Sequence, residues 1–244
     1  MSKVLKPVAV VTGASGEIGG GVTQRLLSKG YSVIGCSRTL TDGMCKLDEN
    51  NASFNHFRLD LESEESVVQC AKDIKALTKD VSVLVNCAGI ASGSAFALLK
   101  LDELMNVFAV NYFGQIRFMQ LMCNLMIRQR LGSVVNVTSM AGLAADRGTL
   151  AYGGSKAAMA HATRVMAAEL GAFNIRVNAV APSRVESKMG RLMDQKSTEL
   201  LESRAALQNH VEVADVVDAI EFLISSKASK ITGQILRVDR GWSL

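Results

Sequence analysis

Tyr152 and Lys156 are the two residues of this 244-residue chain whose types and spacing could carry proton chemistry. Residues four apart on a helix share one face. A phenol has an ordinary pKa of about 10, and a neighbouring ammonium group favours the phenolate and lowers that pKa. Such a pair could donate or accept a proton near neutral pH. Short motifs also recur by chance, so the elements around the pair decide its meaning.

A glycine-rich turn near the amino terminus predicts a nucleotide site. The β-branched run 7–12 is typical of a buried strand, the turn GASGEIG follows at 13–19, and helical periodicity continues to about Gly30. In a strand–turn–helix unit of this kind, glycines let the backbone approach a pyrophosphate, and the N–H groups of the helix start bind it. The alternative interpretation is an ordinary strand-to-helix turn.

The end of the second predicted strand, 31–36, indicates which cofactor would bind. Ser37 and Arg38 follow that strand, and no acidic residue occurs there. In dinucleotide folds an acid at this point binds the ribose hydroxyls, whereas a basic residue accommodates a 2′-phosphate. The guanidinium fork matches a phosphate. The sequence therefore favours NADP(H), with NAD(H) as the second choice and a solvated surface arginine as the alternative reading of Arg38.

Strands and helices alternate along the whole chain without a break in composition, which predicts one doubly wound α/β domain over 1–244. Further strands are predicted at 54–59, 81–85, 132–138, 174–180 and 234–238, and further helices at 64–77, 102–130, 151–172 and 211–224. The expected architecture is a three-layer Rossmann fold with a seven-stranded, mostly parallel sheet in the order 3-2-1-4-5-6-7. Ser139 would then lie at the carboxyl edge of the sheet, where ligands bind.

Composition narrows the range of partners. The net charge is +4 and the basic residues are scattered among acidic ones, which argues against nucleic-acid binding. No apolar run reaches the length of a membrane span. The five cysteines form no CxxC pair, and an odd number suits a reducing compartment. We therefore expect a cytoplasmic protein that has no metal site and binds neither membranes nor nucleic acids.

With its glycine turn, NCAG at 86–89, Asn111, Ser139, Tyr152 and Lys156 in this order, the chain resembles the short-chain dehydrogenase/reductase family over nearly its whole length. It looks most like the 3-oxoacyl-[acyl-carrier-protein] reductases and related carbonyl reductases. The resemblance implies hydride transfer between NADP(H) and a ketone or secondary alcohol. The substrate would be a small carbonyl compound or a 3-oxoacyl group, with a carrier protein as an optional partner. It also implies a homotetramer, with a dimer as the alternative.

The resemblance assigns roles to four catalytic residues. Tyr152 would be the general acid in reduction and the base in the reverse direction. Ser139 would bind the substrate oxygen. Lys156 would lower the pKa of Tyr152 and bind the nicotinamide ribose, and Asn111 would support Lys156 through a water molecule. Cofactor contacts are expected from Thr12, Gly13, Ser15, Gly16, Ile18, Gly19, Ser37, Arg38, Asp60, Leu61, Asn86, Ala88, Gly89, Tyr152, Lys156, Pro182 and Val185.

Three positions depart from the family pattern. Glu17 stands where a glycine is usual, and Gly16 comes one place earlier, a spacing that resembles sugar-nucleotide-handling relatives. Glu17 would suit a pyrophosphate site only if it points to solvent. Ser183 and Arg240 also stand where glycines are usual, so the loop beside the nicotinamide could differ in shape.

Two other functions stay open: a catalytically idle NADP(H)-binding sensor and a sugar-nucleotide-modifying enzyme. The complete set of four catalytic residues argues against the sensor. A carrier protein would need basic surface near the site, and Arg128 and Arg130 are candidates, with a helix-dipole role as the alternative. The loop at 91–101 and the polar segment at 183–210 are expected to select the substrate.

Overall fold

A parallel sheet of seven strands forms the centre of the structure, a computed structural model that describes residues 6–41, 44, 53–186 and 205–242. The strands are β1 (Val8–Thr12), β2 (Ser32–Ser37), β3 (Phe54–Arg58), β4 (Val81–Asn86), β5 (Gly132–Val137), β6 (Ile175–Pro182) and β7 (Ile235–Val238). Their order is β3-β2-β1-β4-β5-β6-β7, and each neighbouring pair is parallel. The predicted fold class and strand order are therefore confirmed.

Helices cover both faces of the sheet and complete the three layers. The helices in the described residues include α1 (Glu17–Ser28), α2 (Glu64–Leu77), α3 (Leu101–Phe108), α4 (Gln115–Gln129), α5 (Leu150–Leu170) and α6 (Val213–Ile224). One core packs α2, α4 and α5 against the sheet, with Phe118 and Met159 fully buried in it. A second core packs α1 and α6 against the opposite face. All six residues of β5 are buried because helices cover both sides of this central strand.

The helix predicted at 102–130 is interrupted at its centre. The chain forms α3, then the π-helical turn Ala109–Gly114, and then α4. At Gly114 the helix lies so close to the loop after β3 that a Cβ atom would sit 2.1 Å from the carbonyl oxygen of Leu61. The π turn also brings Asn111 to the inner face, where its side chain is fully buried. Such turns often occur at functional sites, and the 3.6-residue periodicity of the sequence does not reveal them.

The carboxyl ends of the central strands are linked by buried side chains. Thr12, Asn86 and Asn136 lie side by side in the register of β1, β4 and β5. Asn86 Nδ2 donates to Asn136 Oδ1 at 2.8 Å, and Asn136 Nδ2 donates to Thr163 Oγ1 of α5 at 2.9 Å. Because an unpaired buried amide is costly, these bonds hold α5 in register with the strand ends that precede the candidate site.

The structure describes all of the predicted substrate loop at 91–101 but only the two ends of the predicted substrate segment at 183–210. The loop at 91–101 contains a 3₁₀ turn at Phe96–Leu98. Most of the predicted substrate segment 183–210 lies outside the described residues, since only 183–186 and 205–210 are described. Across the described part of the chain, no helix combines the length and apolarity needed to cross a membrane.

Candidate active site

Helix α5 directs Tyr152 and Lys156 toward the carboxyl ends of β4 and β5, as their spacing predicts. Lys156 is only 4% exposed, and its Nζ donates to the carbonyl oxygen of Val137 at 2.8 Å. The same nitrogen lies 5.8 Å from the centre of the Tyr152 ring. A buried ammonium group needs such a partner because desolvation disfavours its charged form. The carbonyl of Val137 is a site contact that sequence motifs do not reveal, because every residue type carries that group.

Ser139 stands beside Tyr152 at the end of β5. Its side chain caps the 3₁₀ turn Met140–Gly142 by accepting a hydrogen bond from Ala141 N at 3.2 Å. The Ser139 hydroxyl also lies close enough to the Tyr152 phenol to lower the pKa of that phenol. Two of the predicted catalytic residues are therefore close neighbours.

Two glycines allow the turn after Ser139 to lie against α5, and the sequence motifs did not single them out. A Cβ atom at Gly142 would lie 2.7 Å from Ala157 N, and one at Gly153 would lie 2.4 Å from the carbonyl oxygen of Ala141. The turn after Ser139 thus lies directly on the backbone of α5. The two glycines could have indicated a close approach. The sequence does not show that they face each other, because they lie in different elements.

Burial dominates the pKa values of the pair. It raises the pKa of Tyr152 above its ordinary value, against the smaller lowering effect of the Ser139 hydrogen bond. It also lowers the pKa of Lys156 to about 8. The lowering of the Tyr152 pKa by Lys156 stays a prediction, because in this structure burial has the larger effect on that pKa. The reason is that desolvation disfavours the phenolate more than its neighbours stabilise it, while Lys156 donates to Val137.

Asn111 ties the loop after β4 to α5. Its Oδ1 accepts from Ile90 N at 2.8 Å, and its Nδ2 donates to Ile90 O at 2.9 Å and to Ser155 Oγ at 3.1 Å. Ser155 Oγ in turn donates to the carbonyl of Tyr152 at 2.7 Å. A Cβ atom at Gly89 would lie 3.1 Å from Asn111 Oδ1 and 3.4 Å from Lys156 Nζ. Asn111 therefore lies next to Lys156, and its link to Lys156 through water stays a prediction.

The glycine turn at 13–19 has the shape that a phosphate site requires. Gly13 has a positive φ of 65°, and a Cβ atom there would lie 2.7 Å from Ala88 N. Thr12 Oγ1 accepts from that same nitrogen at 3.2 Å, so β1 and the loop after β4 are joined at this point. A Cβ atom at Gly19 would lie 2.2 Å from the carbonyl oxygen of Gly13. The turn is thus a compact backbone surface with Ser15 exposed on it.

The start of α1 is open to an anion. Gly16 is its N-cap and supplies no side-chain hydrogen bond, whereas Ser63 caps α2 by accepting from Ser66 N. Uncapped N–H groups at a helix start bind phosphate well. Glu17 is exposed at the first helical position, where an acidic side chain suits the helix dipole. Ile18 is half-buried and packs against the second core.

The residues predicted for the adenosine end lie at the ends of β2 and β3. Ser37 is buried and Arg38 is exposed. Asp60 is half-buried, and its Oδ1 accepts from Glu62 N at 3.2 Å, next to buried Leu61. Sequence reasoning missed His56, whose Nε2 lies 2.9 Å from Ser37 Oγ.

The residues predicted beside the nicotinamide follow β6. Pro182 ends this strand, and the next residue donates from Ser183 N to Val238 O at 3.0 Å. Val185 is buried and forms a bridge with Val211. Arg240 has a positive φ of 61°, which explains why a glycine is usual at that position. The departure at Arg240 therefore keeps the left-handed backbone and adds a side chain that bonds to Asn209 O.

Arg128 and Arg130 do not lie near this site. Both are at the carboxyl end of α4, just before β5 begins, whereas Ser139 follows the other end of that strand. The six residues of β5 separate the two edges by about 20 Å. Arg130 Nη2 instead donates to Ala172 O at 2.9 Å. The prediction that these arginines supply basic surface near the site is wrong, because they lie at the start of β5 and the site lies at the end of that strand.

Comparison with known proteins is consistent with this geometry. A family model described as short chain dehydrogenase matches residues 7–198. The chain is 32% identical over 237 residues to the 3-oxoacyl-[acyl-carrier-protein] reductase FabG of Thermotoga maritima, covering 96% of each protein. It is 35% identical over 243 residues to the L-xylulose reductase of Caenorhabditis elegans, covering 96% of this chain and 94% of that protein.

Solved structures extend the similarity to the fold. The structure titled "Crystal structure of gox2181" superposes with a TM-score of 0.91 at 27% identity over 99% of this chain and 97% of that one. The structure titled "ElxO with NADP Bound" superposes with a TM-score of 0.87 at 26% identity, over 98% of this chain and 99% of that one.

Proposed function

The chain belongs to the short-chain dehydrogenase family, and from this premise we propose that it transfers a hydride between NADP(H) and a ketone or secondary alcohol. The observation that carries the proposal is the convergence of Ser139, Tyr152 and the buried Lys156, whose Nζ lies 5.8 Å from the centre of the Tyr152 ring. A protein that only sensed a nucleotide would have no need of a phenol, a hydroxyl and a buried ammonium group at one point.

The proton chemistry follows from these side chains. In reduction, Tyr152 Oη donates its proton to the substrate oxygen as the carbonyl carbon gains a hydride, and the product is the alcohol. The raised pKa of Tyr152 keeps this proton in place at neutral pH. Ser139 Oγ binds the same oxygen and orients it toward the phenol. At pH values below its pKa of about 8, Lys156 supplies positive charge beside the phenolate that forms.

The cofactor supplies the hydride, and this chain's residues bind and orient it. The glycine turn and the open start of α1 would bind the pyrophosphate. Arg38 would bind a 2′-phosphate, and Asp60 would lie beside the adenine. Support for the NADP(H) form comes from Arg38, and from the absence of an acid in the stretch Ser37–Thr39.

For the substrate we propose a 3-oxoacyl group or a similar apolar ketone. The loop at 91–101 contacts the segment before α5 through Ser94 N, which donates to Gly148 O at 3.0 Å. Phe96 and Leu98 on this loop are 82% and 75% exposed. Apolar side chains at the edge of the site favour an acyl chain over a polyhydroxylated sugar. Delivery by a carrier protein would have to use basic residues other than Arg128 and Arg130.

We further propose a homotetramer, with a dimer as the alternative. Exposed apolar side chains occur on α3, the π turn and α5, namely Leu101, Met105, Phe113, Leu150 and Val165. Phe222 of α6 and Leu236 of β7 are exposed as well. Exposed apolar patches of this kind mark protein interfaces. Light scattering at two protein concentrations would test the state, and a monomer in both would contradict it.

A substrate screen tests the proposed reaction. Purified protein with NADPH or NADH would be mixed with 3-oxoacyl thioesters, small diketones and L-xylulose, and cofactor oxidation followed by absorbance. We expect turnover with NADPH and the highest kcat/KM for a 3-oxoacyl thioester. NADPH binding without turnover on any ketone would contradict the enzyme and favour the sensor.

A further inference from the structure

We propose that Arg58 forms a clamp with Arg38 around the 2′-phosphate of the cofactor and selects NADP(H) together with it. This inference rests on the proposed function. It concerns Arg58, which no sequence motif of the site includes.

The hydroxyl of Ser37 is already hydrogen-bonded within the protein. Ser37 Oγ donates to Thr39 O at 2.8 Å and lies 2.9 Å from His56 Nε2. A hydroxyl has one hydrogen. If the Ser37 hydrogen is donated to Thr39 O, His56 donates to the Ser37 oxygen; if it is donated to His56 Nε2, the hydroxyl is again engaged. A phosphate bound here would therefore gain its strongest donors from cationic side chains.

The register of the sheet brings Arg58 to the same place. β2 and β3 are parallel, and Ser37 pairs with Arg58. Paired residues on adjacent strands lie about 4.8 Å apart and point to the same face. That face carries the glycine turn, because Ala14 packs against Gly35 on β2 two residues before Ser37. Arg58 is therefore the neighbour of Ser37 on the adjacent strand, and Arg38 is its neighbour along the chain.

Both guanidinium groups are available to a ligand. Arg38 and Arg58 are exposed, and within the described residues neither forms an ion pair or side-chain hydrogen bond. Asp60, the next acid along the chain, accepts from Glu62 N. By contrast Arg25 pairs with Asp218 and Glu221. Two unpaired arginines beside one serine are a site for a dianion, since each fork can bind two phosphate oxygens.

A pair of nucleotides that differ only by the 2′-phosphate tests the clamp without turnover. Binding of adenosine 2′,5′-bisphosphate and of adenosine 5′-monophosphate would be measured by calorimetry for the wild type, Arg58→Ala, Arg58→Gln and Arg38→Ala. Arg128→Ala, an exposed arginine at the opposite edge, is the matched control. We expect both Arg58 variants to bind the bisphosphate about 10-fold more weakly and the monophosphate as the wild type does.

The outcomes separate the clamp from the proposed function. Bisphosphate binding unchanged in both Arg58 variants, with loss in Arg38→Ala, overturns the clamp alone. Equal losses for both nucleotides in the Arg58 variants also overturn it, because the effect would then not depend on the 2′-phosphate. If the wild type binds the two nucleotides equally, the NADP(H) preference itself fails and the clamp fails with it. A selective loss in Arg58→Ala and Arg58→Gln, absent from Arg128→Ala, supports it.

Discussion

The two ends of the candidate site are built in opposite ways. At the proton-transfer end, Lys156 and Asn111 are buried and bonded to Val137, Ile90 and Ser155. At the adenosine end, the two arginines that flank Ser37 are exposed and form no ion pair in the described part of the chain. One end is fixed by the fold before any ligand arrives, whereas the other presents charge to solvent.

This difference matches the work that each end would do. Proton transfer depends on geometry and on shifted pKa values, and both require burial and internal hydrogen bonds. Selection between NADP(H) and NAD(H) depends on one phosphate group, which exposed arginines can bind without being part of the core. Changes at the first end should therefore affect rate and stability, and changes at the second should affect cofactor choice alone.

The largest effect is expected from Tyr152→Phe, which keeps the ring and removes the proton. We expect kcat to fall about 10³-fold, while NADPH binding, measured by fluorescence, stays close to that of the wild type. Tyr31→Phe is the control, because Tyr31 lies before β2, away from the site. A Tyr152→Phe enzyme with more than a tenth of wild-type kcat would show that another group supplies the proton.

At the adenosine end, Arg38→Asp should reverse the cofactor preference. A carboxylate would repel the 2′-phosphate and accept bonds from the ribose hydroxyls of NADH. We expect the ratio of kcat/KM for NADPH to that for NADH to fall about 10²-fold, with the free energy of unfolding unchanged. Arg128→Asp should leave the ratio as it is. Equal affinities for the two cofactors in the wild type would contradict the comparison between the two ends.

Asn111→Ala should damage the proton-transfer end through the fold. It removes the bond to Ser155 Oγ and both bonds to Ile90, and it leaves the backbone N–H and C=O of Ile90 without these partners. We expect a loss of about 1–3 kcal/mol in the free energy of unfolding by urea titration, together with a lower kcat. Asn124→Ala, at an exposed position of α4, should change neither. If Asn111→Ala and Asn124→Ala were equally stable, the hydrogen bonds of Asn111 would contribute nothing to the stability of the loop after β4.

Lys156 makes stability depend on pH. Its pKa is about 8 in the folded chain, whereas an unfolded lysine holds its proton up to the ordinary 10.5. Between these values the unfolded state binds more protons, so the free energy of unfolding should rise with pH. The neighbouring thiol of Cys87, with a pKa raised to about 12, stays protonated in this window.

This rise should disappear in Lys156→Met. Urea titrations between pH 7 and about 10.5 would give the difference in the free energy of unfolding between the wild type and the variant. The contributions of most other titrating groups cancel in this difference. Lys72→Met, which removes an exposed lysine of α2, should keep the wild-type slope. A wild-type stability that fell relative to Lys156→Met over this range would contradict the lowered pKa.

The smallest effect is expected far from both ends. Replacing Arg128 by Ala together with Arg130 by Gln should change kcat/KM for a 3-oxoacyl substrate less than about twofold, whether the acyl group is on a thioester or a carrier protein. The reason is that both arginines lie at the opposite edge of the sheet. A large loss with the carrier protein only would show that the carrier reaches across that edge.

Much of the site could be predicted from local patterns. The glycine turn, Ser139 at a strand end and the four-residue spacing of Tyr152 and Lys156 each depend on a few neighbouring residues. The alternation of strands and helices was enough for the sheet order, because right-handed crossovers leave few topologies. The π turn at Asn111 could not be predicted, because it depends on contact with the loop after β3.

The sequence by itself determined the family, the sheet order and the residue types that could carry a proton, because these follow from periodicity and from motifs within single elements. The contacts and pKa values of those residues follow only from the tertiary structure. Burial raised the pKa of Tyr152, the register of β2 and β3 brought Arg58 beside Ser37, and the length of β5 separated Arg128 from the site. Each of these depends on elements distant in the chain, whose contacts no local pattern encodes.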